Sequence, residues 1–524
     1  MDSFVNREAE LELINNAFAA LIDNTRILRT PFIDFYGVKG IGKTTLLRKI
    51  EQKCKDQNVS YIWANASQDL ASFSLAIADQ IRTKYHLEFQ SSMDNWQNQP
   101  ISATQSLLEH GPVVMLLDSV DPSNMEQVKW LEVILRDLLE EQKLFVVAAS
   151  KKKLFFEREV ARKLTPIPIG QFNRKSCDLY IESIGSQIDP EIRRIVFEWT
   201  RGYPLAIDVM VKAIQNEKLD PRQPQDQPRL LAIIIEQVID HGILAKVEQI
   251  ERDWLRNFLA LFSVPRRSTI LIMQNMIETF APELQLERSL TYIQLPKKVG
   301  ETTGVLNWFR PGFSVMAPIR HLFLLKYRIE HPERYTAIHR FLIHMNKRFA
   351  GEVSGSDRIR YLHEYLYHSA YVDNIQAFSA ILEQTLRECL LESPEFFLQF
   401  SEKFLQDDEL REELGDIPNG VLAFIHRQLA EVCRKFAQQS SDSERLLAWR
   451  NFFYHIAFNP EIADTSMTLK HHMEALIRTE SAQIALNLIE ELSQDEHFQK
   501  AWEHDKDAFF HLIRQKSQPG DKQL

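Results

Sequence analysis

The stretch Gly37-Val38-Lys39-Gly40-Ile41-Gly42-Lys43-Thr44-Thr45 fits the pattern G-x-x-x-x-G-K-[ST]. In such a loop, glycines let backbone N–H groups face a pyrophosphate, and a helix starting behind it adds the positive end of its dipole. Lys43 is placed to reach the β- and γ-phosphates, Thr44 to hold Mg²⁺ through its hydroxyl, and Thr45 to touch the α-phosphate. Asp118 ends the apolar run Val113-Val114-Met115-Leu116-Leu117. An acid there would hold Mg²⁺ beside the threonine, usually through water. Asp121, three residues on, could polarise an attacking water as catalytic base; it could equally be a capping acid before Pro122. Ser150 and Lys151 follow the apolar run Val146–Ala149, at the strand end where ligands bind in open α/β sheets. Either one could sense a γ-phosphate, or both could belong to a solvated basic turn. The chemistry to expect is nucleotide binding, with Lys43, Asp118 and Asp121 as the catalytic candidates.

These residues need strands to hold them. Pro31 to Tyr36 reads as a short buried strand before the loop, and Leu46 to Ile50 as the start of the helix after it. Val59–Trp63, Val113–Asp118 and Leu144–Ala149 read as further strands, and Leu164–Ile169, with its two prolines, as an edge strand. Between them, Asp69–Tyr85 and Met125–Glu141 carry apolar stripes at helical spacing, while Ser91–Pro100 reads as a surface loop. Wholly apolar strands alternating with helices imply a parallel sheet covered on both faces.

After Phe172 strand signals largely stop. Ser176–Ser186 and Pro190–Trp199 read as helices, Gly202-Tyr203-Pro204-Leu205 as a helix start, and Asp220–Pro228 as a linker. From Leu230 to about Arg328 the pattern is helical, with Tyr292–Leu295, Gly304–Phe309 and Phe313–Met316 reading as short strands, the make-up of a winged helix. From Pro332 onward the chain reads as amphipathic helices, near Tyr335–Phe349, Ile359–Ser369, Ile375–Leu391, Gly420–Phe436, Glu444–Phe458, Met467–Arg478 and Ala482–Leu492, with no clean repeat consensus. The expected architecture is an α/β P-loop NTPase domain (1–170), a small helical domain and linker (171–228), a winged-helix-like domain (229–330) and an all-α, repeat-like C-terminal region (331–524).

The 524 residues are 44% apolar, enough for several cores, and the net charge of −10 argues against a chain-wide nucleic-acid surface. Cys54, Cys177, Cys389 and Cys433 lie far apart, indicating neither a zinc site nor a disulfide framework. No apolar run reaches the ~18 residues of a membrane span, and Met1–Glu8 does not read as a signal peptide. A cytoplasmic location is expected. His339, His344, His363, His368, His426 and His455 lack metal-ligand spacing and read as packing or surface groups.

In their order, Phe4-Val5-Asn6-Arg7-Glu8, Gly37–Thr45, Val113–Asp121, Val146–Lys151 and Gly202-Tyr203-Pro204-Leu205-Ala206 resemble the STAND class of AAA+-related NTPases, which includes the NB-ARC and NACHT proteins. The resemblance covers roughly residues 1–330. Glu364–His368 with Ala370 also looks like the opening of the helical arrays of bacterial members. The resemblance implies ATP/ADP with Mg²⁺ at Gly37–Thr45 and Asp118. It places Val5 and Arg7 beside the nucleotide, and Pro204 near the adenine. On sequence alone Arg7 is a surface arginine and Pro204 a helix start. The chain departs from the family in three places: Asn6 replaces a usual Gly, Lys151 a usual Arg, and Val315–Arg320 lacks the histidine that contacts the ADP β-phosphate, the nearest being His321.

Three functions compete. The first is an ATP-dependent regulatory switch with slow hydrolysis, controlling conformation or oligomerisation and recruiting a protein partner, or further copies of itself, through the C-terminal helices. The second is a nucleotide-bound scaffold that does not turn over. The third is a DNA-acting regulator using Arg266, Arg267, Lys297 and Lys298 of the winged helix, a reading the acidic net charge opposes.

Overall fold

The computed structural model describes residues 7–23, 27–89, 96–141, 143–184, 188–285, 289–410, 419–439 and 442–457, with isolated positions between 476 and 492. It divides into two compact units, Met1–Tyr335 and Thr336–Leu524.

In the first unit the apolar runs form five strands, β1 (Phe32–Tyr36), β2 (Ser60–Asn65), β3 (Val113–Val120), β4 (Leu144–Ser150) and β5 (Leu164–Pro168). They build one parallel sheet in the order β2-β3-β4-β1-β5. Every residue of β4 is buried, as a central strand with helices on both faces requires. β5 pairs only with β1, so its prolines sit at an edge where a missing N–H breaks no ladder. The order has a direct consequence for the site. β4 lies between β1, which feeds the glycine loop, and β3, which carries Asp118. Register brings Tyr36 level with Ser150, while Asn65 faces Asp118. The β3–β4 ladder is irregular between Leu117 and Val120, where Ser119 adopts φ +61°.

The helices start on the caps that their sequences supply. Asp69 accepts from the Ser72 N–H at 2.9 Å, opening the helix Leu70–Tyr85, and Asn124 does the same for Met125–Leu138 at 3.2 Å. Gln99–Leu108 is a helix as well, running on from the end of the stretch read as a surface loop. On the sheet's faces, fully buried Ile77, Ile81, Leu131 and Leu135 pack against Met115, Leu117 and Val146. Each such side chain contributes about 1.5–3 kcal/mol by leaving water.

Beyond β5 come the helices Arg174–Ser183, Pro190–Thr200, Pro204–Glu217 and Gln227–Ile235. The stretch read as a linker is a tight turn in which Asp220 accepts from the Arg222 guanidinium. A π-helical segment, Glu236–Ile243, follows, then Gln249–Phe262, Ile270–Phe280 and Ser289–Thr303. The last of these corrects an expectation, because Tyr292–Leu295 is helix rather than strand. Tyr292, Leu295 and Val299 are buried at three- and four-residue spacing, which a four-residue window reads equally well as alternation. The hairpin consists of β6 (Leu306–Phe309) and β7 (Gly312–Val315) alone, extended by a bridge from Ser268 to Phe313.

Among the described residues the second unit is helical. It contains Ile375–Glu392, Pro394–Leu405 (absent from the sequence reading) and two hairpins, one formed from residues 336–352 of the helix Pro332–Glu352 with Gly355–Val372, the other from Asn419–Gln439 with Asp442–Ala457. Both hairpins share a device. His339 and His368 face each other Nδ1 to Nδ1 at 3.0 Å, and His426 and His455 do so at 3.1 Å, each pair 29 residues apart. All four histidines are buried. The first member of each pair stands in an Ile-His-Arg triplet and the second follows a tyrosine. Each contact needs one ring nitrogen as donor and the other as acceptor, so within a pair the two tautomers differ. The expected helices Met467–Arg478 and Ala482–Leu492 lie, apart from single positions, outside the described residues. No described helix is long and apolar enough to cross a membrane.

Candidate nucleotide site

The glycine loop turns between β1 and the helix Lys43–Asp56. Gly40 and Gly42 hold φ +82° and +103°, which side-chain-bearing residues avoid. Lys43 folds back over the loop, and its ammonium donates to the carbonyls of Gly37 at 2.7 Å and Val38 at 2.9 Å. Burial lowers its pKa to about 8, against the pull of Asp118 and Asp34. Thr44, the next residue, donates its hydroxyl to Asp118 Oδ1 at 3.1 Å. A hydroxyl and a carboxylate in contact, with the ends of β1 and β3 on either side, are hard oxygen donors of the kind Mg²⁺ takes. Among the described residues no group of three or more His, Cys, Asp or Glu could hold a metal alone, so such an ion would draw its remaining ligands from phosphate and water.

Asp121 is committed. It accepts from the Ser123 hydroxyl at 2.6 Å, the Ser123 N–H at 3.1 Å and Lys151 Nζ at 2.9 Å. Burial alone would raise its pKa, but Ser123 and Lys151 outweigh burial and hold it below the ordinary value. Ser150 ends β4 beside Gly37, whose N–H donates to the Ser150 carbonyl at 3.2 Å. The Ser150 hydroxyl turns toward Asp34.

Arg7 is not a surface residue. Only 8% exposed, it donates to Gly170 O at 2.8 Å and Ile41 O at 3.2 Å, and its guanidinium lies 5.4 Å from the Phe172 ring centroid. Pro204 opens its helix at the first position, where a missing N–H costs nothing. Around it the helical segment meets the loop. The buried Tyr203 hydroxyl donates to the Lys39 carbonyl, and Leu205 covers Gly40 so closely that a Cβ on Gly40 would meet it at 2.6 Å. Lys39 donates its ammonium to Gly242 O at 2.7 Å, at the end of the π-helical segment.

Arg7, Val38 to Thr45, Asp118, Asp121, Ser150, Lys151 and Pro204 all line one cavity of about 840 Å³. That volume lies in the range of small-molecule sites. Gly37 sits behind the loop and contributes its carbonyl to Lys43. Val5 lies outside the described residues. His321 is not at the cavity; its Nε2 faces the Glu198 carbonyl at 2.9 Å. The sequence reading passed over Tyr180, Asp208, Lys246 and Thr302–Val305, which also line it. Asp208, one turn past Pro204, was within reach of helical spacing; Lys246 and Thr302–Val305 arrive through tertiary packing and left no local signal.

No family model and no curated protein matches the chain. Its fold is similar to that of the Walker-type ATPase of Pyrococcus abyssi, at 10% identity over 61% of this chain and 95% of that one, with a TM-score of 0.42. It is similar to a STAND protein with a tetratricopeptide repeat sensor from Pyrococcus horikoshii, at 11% identity over 98% and 77%, with a TM-score of 0.31. It is also similar to AMPPCP-bound DnaA from Aquifex aeolicus, at 17% identity over 56% and 95%, with a TM-score of 0.33. Likenesses of this size carry no functional argument. On its own loop, sheet and acids, the chain has an α/β P-loop domain followed by helices.

Proposed function

We propose that this chain is an ATP/ADP-binding regulatory switch of the STAND type, with slow Mg²⁺-dependent hydrolysis. One observation carries the switch beyond simple binding, namely that Lys39 inside the phosphate loop is gripped from two later segments. Its carbonyl accepts from Tyr203 and its ammonium reaches Gly242. A ligand that moves the loop must therefore disturb the helical segments, and if ATP and ADP disturb them unequally the conformational balance shifts.

In this reading Gly37–Thr45 wrap the phosphates, and Lys43 exchanges the Gly37 and Val38 carbonyls for phosphate oxygens. Thr44 and Asp118 hold Mg²⁺, which when bound neutralises phosphate charge. Ser150, at the end of β4, and Lys151 after it line the cavity beside the loop, and Arg7, Pro204 and Val5 flank the base. Residues 229–330 form the winged helix, supported by three helices and the β6–β7 hairpin. The C-terminal helices engage a protein partner or another copy of the chain.

The test is to denature purified protein, identify the released nucleotide, and follow mass by light scattering with ADP and with ATP–Mg²⁺. Retained ADP and a change of assembly state on exchange support the switch. An empty site and no response to either nucleotide would refute it.

A non-hydrolysing scaffold is favoured by one specific observation: both Ser123 and Lys151 engage Asp121, the only acid proposed as base. Hydrolysis lost on Asp118→Asn would exclude it. For the DNA reading, Lys298 pairs with Glu251 at 3.2 Å and Arg267 lies over the Phe309 ring, so these cations already have partners within the unit.

A further inference from the structure

Asp34 is the lone acid of β1, fully buried between β4 and β5. One carboxyl oxygen lies 2.6 Å from Ser150 Oγ, and the other accepts from the Leu154 N–H at 2.9 Å. Ser150 Oγ is also 2.7 Å from the Lys152 carbonyl oxygen. Serine has one hydroxyl hydrogen, and a carbonyl can only accept. With Asp34 ionised, one of the two short contacts is left as oxygen against oxygen with no hydrogen between them, in a buried place where an unmade bond is costly. With Asp34 neutral the chain closes: its O–H donates to Ser150, Ser150 donates to Lys152 O, and Leu154 N–H donates to Asp34.

We propose that Asp34 is a positioning residue of the nucleotide site, which as the neutral acid fixes the turn Ser150–Leu154 and so holds Lys151, paired with Asp121, at the wall of the nucleotide cavity, where ATP is told from ADP. This rests on the nucleotide reading above. Ser150 is well placed to transmit such order, because its carbonyl also takes the N–H of Gly37, the first residue of the loop. Burial raises Asp34 to about 6, opposed by Ser150, Leu154 and the charges of Lys43 and Lys153. Phosphates that drew Lys43 away and brought negative charge would remove part of that opposition, so nucleotide binding and proton uptake at Asp34 reinforce each other.

Asp34→Asn is the discriminating variant. Its amide can donate to Ser150 and accept from Leu154, reproducing the neutral acid without a titration; Asp34→Ala makes neither bond. Thermal melting without nucleotide, from pH 4 to 8, is measured together with ATP and ADP affinities at pH 6 and 8. An acid held above its ordinary value of about 3.9 gives stability that is full at low pH and lost as pH rises through about 6. The parent's melting temperature therefore falls relative to Asp34→Asn across that window. Asp34→Asn binds ATP within about threefold of the parent at pH 6, without the parent's weakening at pH 8. Asp34→Ala weakens ATP about tenfold or more while ADP changes less than about threefold. Two results overturn the proposal: an Asn variant as damaged as the Ala variant, or an Ala variant with an unchanged ATP-to-ADP ratio. Should Asp34→Ala fail to fold, the pH dependence of parent against Asp34→Asn still decides. A parent that binds neither nucleotide overturns the function proposed above and the role of Lys151, while the melting curves still decide whether Asp34 is the neutral acid.

Discussion

Replacing Gly202 by alanine tests the joint between the sheet domain and the helices that close its cavity. Gly202 holds φ +74°, and its carbonyl accepts from the Phe172 N–H at 2.8 Å. A Cβ built there would stand 1.9 Å from the Phe172 carbonyl oxygen and 2.8 Å from the carbonyl carbon. Two costs add. An L-residue in the left-handed region costs about 1–2 kcal/mol. The overlap is with backbone, which cannot rotate away, so the 172–202 contact must open, at a further cost of about 1–3 kcal/mol for forced displacement and about 1 kcal/mol for the hydrogen bond. Gly202→Ala should therefore lose roughly 3–6 kcal/mol. Gly355→Ala is the control, since φ is +60° but nothing lies within 4 Å of the new Cβ, leaving only the first cost. Urea unfolding of both variants, with domain-specific fluorescence and nucleotide affinity on the same samples, measures the difference. Phe172 carries the Arg7 contact at the cavity wall, so Gly202→Ala should also weaken nucleotide binding. A loss no larger than that of Gly355→Ala would refute the packing account of this joint.

Lys43→Ala should weaken ATP and ADP alike by roughly a hundredfold, the worth of a charge-assisted hydrogen bond of about 2–3 kcal/mol, as read by titration calorimetry; unchanged affinity would remove Lys43 from phosphate binding. Asp118→Asn should slow any Mg²⁺-dependent phosphate release by roughly a hundredfold, with ADP affinity nearly kept, and full activity in this variant would displace Asp118 as the metal acid. His426 and His455 are lowered by burial to about 4 and about 3. Their folded values lie below the unfolded value of about 6.5, so the stability they give is full above that pH and is lost as pH falls toward 4. Melting of the C-terminal unit should weaken across that window, and His455→Phe should flatten the profile; an unchanged acid limb would rule out this pair as its source.

Chemistry carried by local pattern was legible. The loop, the strand that feeds it, the acid ending β3 and the prolines of β5 are all statements about neighbours in the chain. What depends on crossover was not. Nothing in the strands says that β4 rather than β2 lies beside β1, yet that order is what puts Ser150 and Lys151 between loop and acid. Arg7 was misread because exposure is decided by Gly170 and Phe172, far along the chain. Tyr292–Leu295 was misread because four residues cannot separate a period of 2 from one of 3.6. Asp34 left a signal that was passed over, an acid in the middle of an otherwise apolar strand. The histidines were weighed singly, and the 29-residue interval shared by the two pairs went unused.

The paired histidines bear on how each hairpin carries its own assembly. A hairpin whose two helices are matched by a polar key inside it carries its assembly instructions within one contiguous segment. A copied gene segment of that size arrives with its own alignment, and its partner need not be re-selected elsewhere in the chain. Residues on the outside of either hairpin can thus change without disturbing the pairing inside it.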